Sequence, residues 1–328
     1  MKKTILLFLL LGVALIGTTL LSLTVGSAAL GAEPFFGGLF AQEGYETETA
    51  ILRYIRLPRT LAALLAGAAL SLSGVLLQQV MANPLAGPNT MGVNAGAGFF
   101  TVLLLSLFPT ATGALPLAAF LGAFLTALLT VALASGAGGG RTTVLLAGIS
   151  CTALFQAGIS FFSILDTDVL AQYSAFSVGG LAGVTLSLLP VPAVLFFFTL
   201  LLSLLLSRRL SALALGDGVA SALGIRVRAL RTVALLLASL SAAAAISFAG
   251  LLGFVGLAVP HITRRLFGGG LTRTLIAAPL FGALLLLLAD LLARTLFAPS
   301  DIPVGILTAF LGAPFFLGLL LTRRDAHA

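Results

Sequence analysis

Very few side chains in this sequence could take part in acid–base or metal chemistry. The histidines are His261 and His327, and the single cysteine, Cys151, lies in an apolar stretch. A site for a bare transition-metal ion needs clustered histidine, cysteine or carboxylate ligands, and the sequence offers no such set. No nucleophile–base set or paired catalytic carboxylates can be placed either. We expect His261 to pack or hydrogen-bond near Pro260, and Cys151 to be a small packing residue.

Nucleotide hydrolysis by this chain is excluded on similar grounds. A P-loop needs a lysine within a glycine-rich sequence to reach the β- and γ-phosphates. The only lysines are Lys2 and Lys3, at the start of the chain. We therefore predict no catalytic residues, no metal site and no cofactor in this chain.

The composition indicates a protein that is embedded in a lipid bilayer. Charged residues make up 8% of the chain and hydrophobic residues 59%, with a mean hydropathy of +1.19. A soluble protein carries about 25% charged residues. The sequence predicts an all-α polytopic membrane protein in which residues 1–328 form one transmembrane domain.

Charges, prolines and glycines divide the chain into ten apolar segments. They are residues 4–25, 60–80, 92–108, 114–135, 143–165, 190–207, 231–249, 251–267, 274–294 and 304–322. The first could be a cleaved signal, but it reaches the roughly 20 residues that span a bilayer, which favours a retained span. Residues 169–189 are uncharged but broken by three glycines, which predicts a half-helix instead of a crossing.

The distribution of basic residues predicts the orientation. With the amino terminus inside, the inner segments hold 13 of the 17 basic residues and the outer segments hold four: Arg53, Arg56, Arg59 and Arg294. This matches the positive-inside bias and predicts that both termini are cytoplasmic. The net charge of +7 then reflects topology and indicates no nucleic-acid partner.

An irregular segment interrupts the long uncharged region of residues 60–140. Residues 82–98 contain Asn83, Pro84, Leu85, Gly87 and Pro88 among further glycines and asparagines. Irregular backbone at membrane depth is tolerated only where protein covers it or a watery cavity solvates it. The segment is therefore either an element of a transport path or a tight interhelical turn.

Two further features carry charge. Asp290 is the only candidate for an ionisable residue within the bundle, and Arg294 lies four residues later as a partner.

Residues 207–230 form the longest polar stretch on the inner side and predict one or two short helices punctuated by Gly216 and Gly224. Such a segment could pack into a partner's groove, or it could be a solvated loop.

Motifs in unbroken order over residues 50–322 resemble the FecCD/BtuC-like permeases of ABC transporters, which import iron-siderophores, haem and vitamin B12. The motifs are Arg56-Leu57-Pro58-Arg59, Asn83-Pro84-Leu85-Ala86, Leu215-Gly216-Asp217, Leu223-Gly224, Gly253-Phe254-Val255-Gly256, Pro260-His261, Ile302-Pro303-Val304-Gly305 and Gly312-Ala313-Pro314-Phe315-Phe316. Asp217 and Asp301 stand where the family more often has glutamate, which keeps the charge but shortens the reach.

The resemblance implies a type II ABC importer fold with about ten membrane helices. It implies a bacterial inner-membrane complex of two permease subunits, here expected to be identical, two cytoplasmic ATPases that bind ATP and Mg²⁺, and an external substrate-binding protein. The cargo would be a metal chelate: a ferric siderophore first, then haem or cobalamin. An ion-coupled secondary transporter is the alternative.

The resemblance also assigns roles to residues of this chain. The gate of the translocation path would include Asn83, Pro84, Leu85, Gly87 and Pro88. Contact with the ATPase is expected from the following residues: Leu215, Gly216, Asp217, Ala220, Leu223 and Gly224. Docking of the binding protein is expected at Arg56, Arg59 and Arg294, because a guanidinium holds a carboxylate bidentately. The alternative for these arginines is local pairing with Glu46, Glu48, Asp290 or Asp301.

Overall fold

The computed structural model describes residues 2–26 and 31–324, and these residues are predominantly helical and contain no strand. Their α-helices, in chain order, are α1 Lys2–Thr24, α2 Ala32–Leu39, α3 Glu46–Ala50, α4 Leu57–Met81, α5 Val93–Leu107, α6 Leu115–Gly136, α7 Arg141–Leu165, α8 Thr167–Val178, α9 Pro190–Leu205, α10 Ser207–Ala212, α11 Asp217–Ala222, α12 Val227–Ala249, α13 Val255–Phe267, α14 Leu271–Thr295 and α15 Val304–Arg324. A π-helix, Ile51–Arg56, joins α3 to α4.

Each of the ten predicted apolar segments coincides with one helix. Seven helical segments within the described residues are long and apolar enough to cross a membrane, and they contain α1, α4, α6, α7, α9, α12 and α14. The other three segments correspond to α5, α13 and α15. The correspondence is close because a bilayer requires long uncharged runs, which are easily recognised in sequence.

Residues with positive φ angles change the predicted bounds of two segments. The eighth begins at Val255 instead of residue 251, because Gly250 and Phe254 both have positive φ angles and interrupt the helix. The predicted half-helix over 169–189 is α8, which ends at Val178 where Gly179 adopts a φ of 75°. Residues after it form one 3₁₀ turn, Leu186–Leu188, so only the first half of that prediction is correct.

Small residues let the central helices approach closely. α4 packs against α12, α13 and α14, and most of its residues are buried. A Cβ atom added to Gly74 would lie 1.7 Å from the carbonyl oxygen of Gly256 on α13, and one added to Gly67 would lie 2.2 Å from that of Gly282 on α14. Backbone approach of this kind is typical of membrane helix packing, where small side chains line the interface.

The bundle has one end rich in arginine. Gln79, near the end of α4, donates to the Leu210 carbonyl of α10, and Arg141, at the start of α7, donates to the Leu213 carbonyl. Arg231, near the start of α12, donates to the carbonyl of Gly139. We call this end the arginine-rich face. α1 ends on the opposite face beside the start of α4 and the end of α14.

Candidate functional site

The connection from α4 to α5, residues 82–92, is a compact turn held by its own polar atoms. Ala82 ends α4 with a φ of 47°, and the Asn83 side-chain oxygen accepts a hydrogen bond of 2.9 Å from the Leu85 N–H. This local bond offers the backbone an alternative to helix. Pro88–Met91 then form a 3₁₀ turn, and the hydroxyl of Thr130 on α6 donates to the Met91 carbonyl.

The same turn packs between helices at the end of the bundle that carries Gln78. A Cβ on Gly87 would lie 3.1 Å from the Leu257 side chain of α13. Gln78 donates to the Leu257 carbonyl and accepts from Arg264, so that α4 and α13 are tied beside the turn. The structure therefore brings the five predicted gate residues together, with Gly87 buried and the Leu85 side chain 52% exposed.

The segment predicted to contact the ATPase forms two short helices, α10 and α11, as its glycines indicated. Gly216 separates them with a φ of 100°. The Asp217 carboxylate is held by Arg231, whose Nη2 lies 2.7 Å from both carboxylate oxygens, and Arg141 lies 3.5 Å away. The hydrogen bond from Arg231 holds the pKa of Asp217 below its ordinary value, against the opposing effect of burial.

Exposure separates the predicted coupling residues into two groups. Leu215 and Leu223 are each 63% exposed, and Gly224 is also exposed, so these residues are free to meet a partner. Ala220 is fully buried within the chain. The expectation that its side chain touches an ATPase needs correction, because α11 turns that face towards its own core. Gly216 is half-buried, and Asp217 is bound to Arg231.

A charge cluster lies at the opposite face. The Arg59 Nε lies 2.8 Å from an Asp290 oxygen, and Arg59 also bonds Asp301. Arg294 donates to the Ser22 carbonyl and hydroxyl, and Arg56 donates to the carbonyls of Leu23 and Thr24. These carbonyls belong to the last turn of α1, and among residues 2–26 and 31–324 no backbone N–H donates to them, so the two arginines act as a carboxyl-terminal cap.

The predicted docking arginines therefore have a different arrangement from the expected one. Arg56, Arg59 and Arg294 are 3%, 8% and 4% exposed, and their contacts join α1, α4 and α14. The alternative of local pairing applies to Arg59, which pairs with Asp290 and Asp301, and to Arg294, which lies near Asp290. The reason is that a guanidinium at the end of a helix bundle can reach unpaired backbone carbonyls as well as carboxylates. Arg53 is exposed on the same face.

Comparison with known proteins decides the family. The family model described as "FecCD transport family" matches residues 14–323. The chain belongs to the FecCD transport family. It is 39% identical to the hemin transport system permease protein HmuU of Yersinia pestis, over 98% of this chain and 97% of that protein. It is 38% identical to the achromobactin transport system permease protein CbrC of Dickeya dadantii (strain 3937), over 92% of this chain and 87% of the relative.

One solved structure is similar to this FecCD member along nearly the whole chain. A metal-chelate type ABC transporter in an inward-facing conformation superposes with a TM-score of 0.83 at 31% identity, over 95% of this chain and 97% of that one. The all-α polytopic fold of this FecCD member is thereby confirmed.

One surface of this FecCD member was not anticipated from the sequence. The exposed side of α7 carries the polar residues Ser150, Gln156 and Ser160, and the two serine hydroxyls donate to backbone carbonyls of the preceding turn. Polar side chains within a membrane span usually face protein or a water-filled cavity. Only Gln156 and Ser160, four residues apart, share a helix face and gave a sequence signal, which the surrounding leucines and phenylalanines obscured.

Proposed function

We propose that this chain is the membrane-spanning permease subunit of a binding-protein-dependent ABC importer that carries a metal chelate into the cytoplasm. The full-length family match is the observation that carries the proposal. The energy comes from ATP hydrolysed by a separate ATPase chain. A P-loop requires a lysine, and the only lysines here, Lys2 and Lys3, lie at the start of the sequence.

The ATPase binds the arginine-rich face, which makes that face cytoplasmic. The exposed side chains of Leu215, Val219 and Leu223 project from the segment that contains α11 and supply an apolar surface for a partner's groove. Asp217 and Arg231 fix α11 to α12, so that movement of α11 is passed to a spanning helix. The excess of arginine at this end agrees with a cytoplasmic location and with cytoplasmic termini.

A second permease subunit, of the same sequence, packs against the exposed side of α7. Ser150, Gln156 and Ser160 are polar and exposed in the single chain, and a partner would enclose them beside a wet path. The turn of residues 82–92 lies at the cytoplasmic end of this path, where Leu85 and Asn83 narrow it. Such a path has few strong ligands, and weak binding allows release of the cargo.

The binding protein docks on the opposite face. Arg53 is exposed there, three residues before the buried Arg56, and is our candidate for first contact with an acidic surface. Arg56, Arg59 and Arg294 would contribute only after exchanging the internal partners described above.

The ion-coupled alternative is less well supported. It requires an ionisable group that can bind and release an ion within the bundle. Asp290, the candidate, is fully buried and bonded to Arg59, with Arg294 at 3.6 Å. Both neighbours are permanently charged, so the carboxylate is occupied as a structural partner.

We propose a ferric siderophore as the cargo, and we rank haem and cobalamin after it. Similarity alone does not separate them, since the relatives that carry hemin and achromobactin in their names are 39% and 38% identical to this chain. The test is titration of the cognate binding protein with ferric siderophores, haemin and cobalamin. Tight binding of a ferric siderophore alone supports the first proposal, and tight binding of haemin or cobalamin instead replaces it.

A further inference from the structure

A cavity on the arginine-rich face collects three positive charges. It has a volume of about 750 Å³ and lies between α10, the end of α11 and the start of α12. Arg208, Arg209 and Arg226 line it, and the remaining lining residues are apolar or glycine. Within the described residues, none of the three arginines makes an ion pair or a side-chain hydrogen bond. Three guanidinium groups without a carboxylate form a site for an anion.

Neighbouring acidic residues do not neutralise this cavity. Of the described acidic residues, Asp217 is the one that lies at this end of the bundle, and it is held by Arg231 with Arg141 nearby. Like charges that gather without a partner repel one another, and they are expected to attract a mobile anion. The arrangement therefore calls for an external ligand of negative charge.

The helix that precedes the cavity, α9, presents an exposed apolar side. On α9, Val194, Phe198, Leu201 and Leu205 are exposed at intervals of three or four residues, and the exposed Arg208 and Arg209 follow on α10, after the turn at Leu206. Residues three and four apart share a face of a helix. An apolar stripe that ends in arginine is the pattern of a helix meeting lipid tails and then lipid headgroups.

The second wall shows the same change from apolar to basic. On α12, the exposed Val233 and Ala229 are followed, towards the chain start, by Arg226. Leu206, directly after α9, lines the cavity together with Leu230 and Val233 of α12, so apolar walls stand beside the three arginines, and we call this cavity the groove. We propose that this groove binds an anionic phospholipid, with its phosphate among Arg208, Arg209 and Arg226 and its acyl chains against Leu206, Leu230 and Val233.

The proposal connects the lipid to the coupling segment. Leu223 and Gly224, which follow α11, also line the cavity. A headgroup bound there touches the segment that we assign to the ATPase contact. Anionic lipid would then stabilise one position of this segment, which goes beyond the transport function proposed above and does not depend on the identity of the cargo.

Native mass spectrometry of the purified full-length permease, with added phosphatidylglycerol or phosphatidylcholine, tests the charge requirement. Each arginine near an anionic lipid contributes roughly fivefold in affinity, so the double variant R208Q/R209Q is expected to bind phosphatidylglycerol roughly 30-fold more weakly. R228Q/R265Q removes the same charge from exposed arginines that do not line the cavity and is expected to bind normally. Equal losses in both variants would overturn the proposal in favour of general surface attraction.

A second pair of variants tests occupation of the groove. Ala212 lines the cavity and Ala214 does not, although both belong to the same segment. A212F is expected to fill the cavity and reduce phosphatidylglycerol binding, whereas A214F retains it. Unchanged binding in A212F would overturn the groove. Displacement of phosphatidylglycerol by an equal concentration of inorganic phosphate would also overturn the proposal and indicate a site for free anions. Normal lipid binding by R208Q/R209Q together with loss of ATPase co-purification would overturn it as well and indicate a protein contact.

Discussion

Arg231 Nη2 lies 2.7 Å from both carboxylate oxygens of Asp217, joining the start of a spanning helix to the short helix α11. The Arg231 side chain is 4% exposed and that of Asp217 is 51% exposed. The arginine therefore depends on this carboxylate for its charge compensation, whereas the aspartate remains accessible. The contact is the physical link between the candidate ATPase surface and the membrane domain.

We expect D217N to weaken coupling more than it weakens folding. Arg231 is buried but Asp217 is half exposed, and the asparagine keeps an oxygen that can accept from Arg231, so the loss in free energy of unfolding is expected to be about 1–2 kcal/mol. ATP hydrolysis stimulated by loaded binding protein should fall, while D217E retains the charge and should preserve it. Normal stimulation in D217N would contradict the linking role.

The pH dependence of this pair has a definite sign. Because the pKa of Asp217 is lowered in the folded chain from its ordinary value of 3.8, its stabilising effect is present above that value and is lost as pH falls through the lower, folded pKa. The stability difference between wild type and D217N, measured by thermal unfolding in detergent, should therefore be constant from pH 7 to 5. A difference that disappears within that range would show that another group is responsible.

Two substitutions of Asn83, in the turn of residues 82–92, are expected to have different effects on coupling. N83A removes the oxygen that accepts from the Leu85 N–H and should increase ATP hydrolysis in the absence of cargo. N83D keeps an oxygen at that position and should remain coupled. L85A should also increase leak, with little loss of stability because the side chain is largely exposed. Wild-type leak and coupling in both N83A and L85A would remove the gate from the account.

The buried charge cluster predicts a large effect on stability. D290N leaves Arg59 and Arg294 without their shared buried carboxylate, and removing one partner of a buried pair costs about 3–5 kcal/mol. D301N affects a side chain that is 39% exposed and should cost about 1 kcal/mol or less. Thermal stability in detergent compares the two, and equal melting temperatures of D290N and wild type would contradict this assignment.

Docking of the binding protein gives a kinetic prediction. R53E should slow association of the loaded binding protein at low salt, because exposed charges act chiefly on encounter rate. The effect should diminish at high salt, where exposed charges are screened. R56E/R59E should instead disturb the contact of Arg56 with α1 and that of Arg59 with α14, and lower thermal stability. An R53E association rate equal to wild type at low salt would reject the role of Arg53.

Sequence predicted the spans and the short connections well, and side-chain direction poorly. All ten predicted segments are helical and seven of them are long and apolar enough to cross a membrane, because long apolar runs are easily recognised, and α10 and α11 follow from the glycines at 216 and 224. Arg59 and Asp290 are 231 residues apart, so their direct bond depends on which helices become neighbours. Ala220 is buried because α11 rotates it inward, and no local pattern in six residues fixes that rotation.

The most direct test of the whole account is cargo uptake into proteoliposomes that contain the permease, its ATPase and its loaded binding protein. We predict uptake that requires ATP, stops when the ATPase is omitted and continues when ionophores dissipate ion gradients. L223D, which places charge on the exposed ATPase surface, should abolish this uptake, while S221D on the same segment serves as the matched exposed control. Uptake by the permease alone, driven by an ion gradient without ATP, would contradict the account.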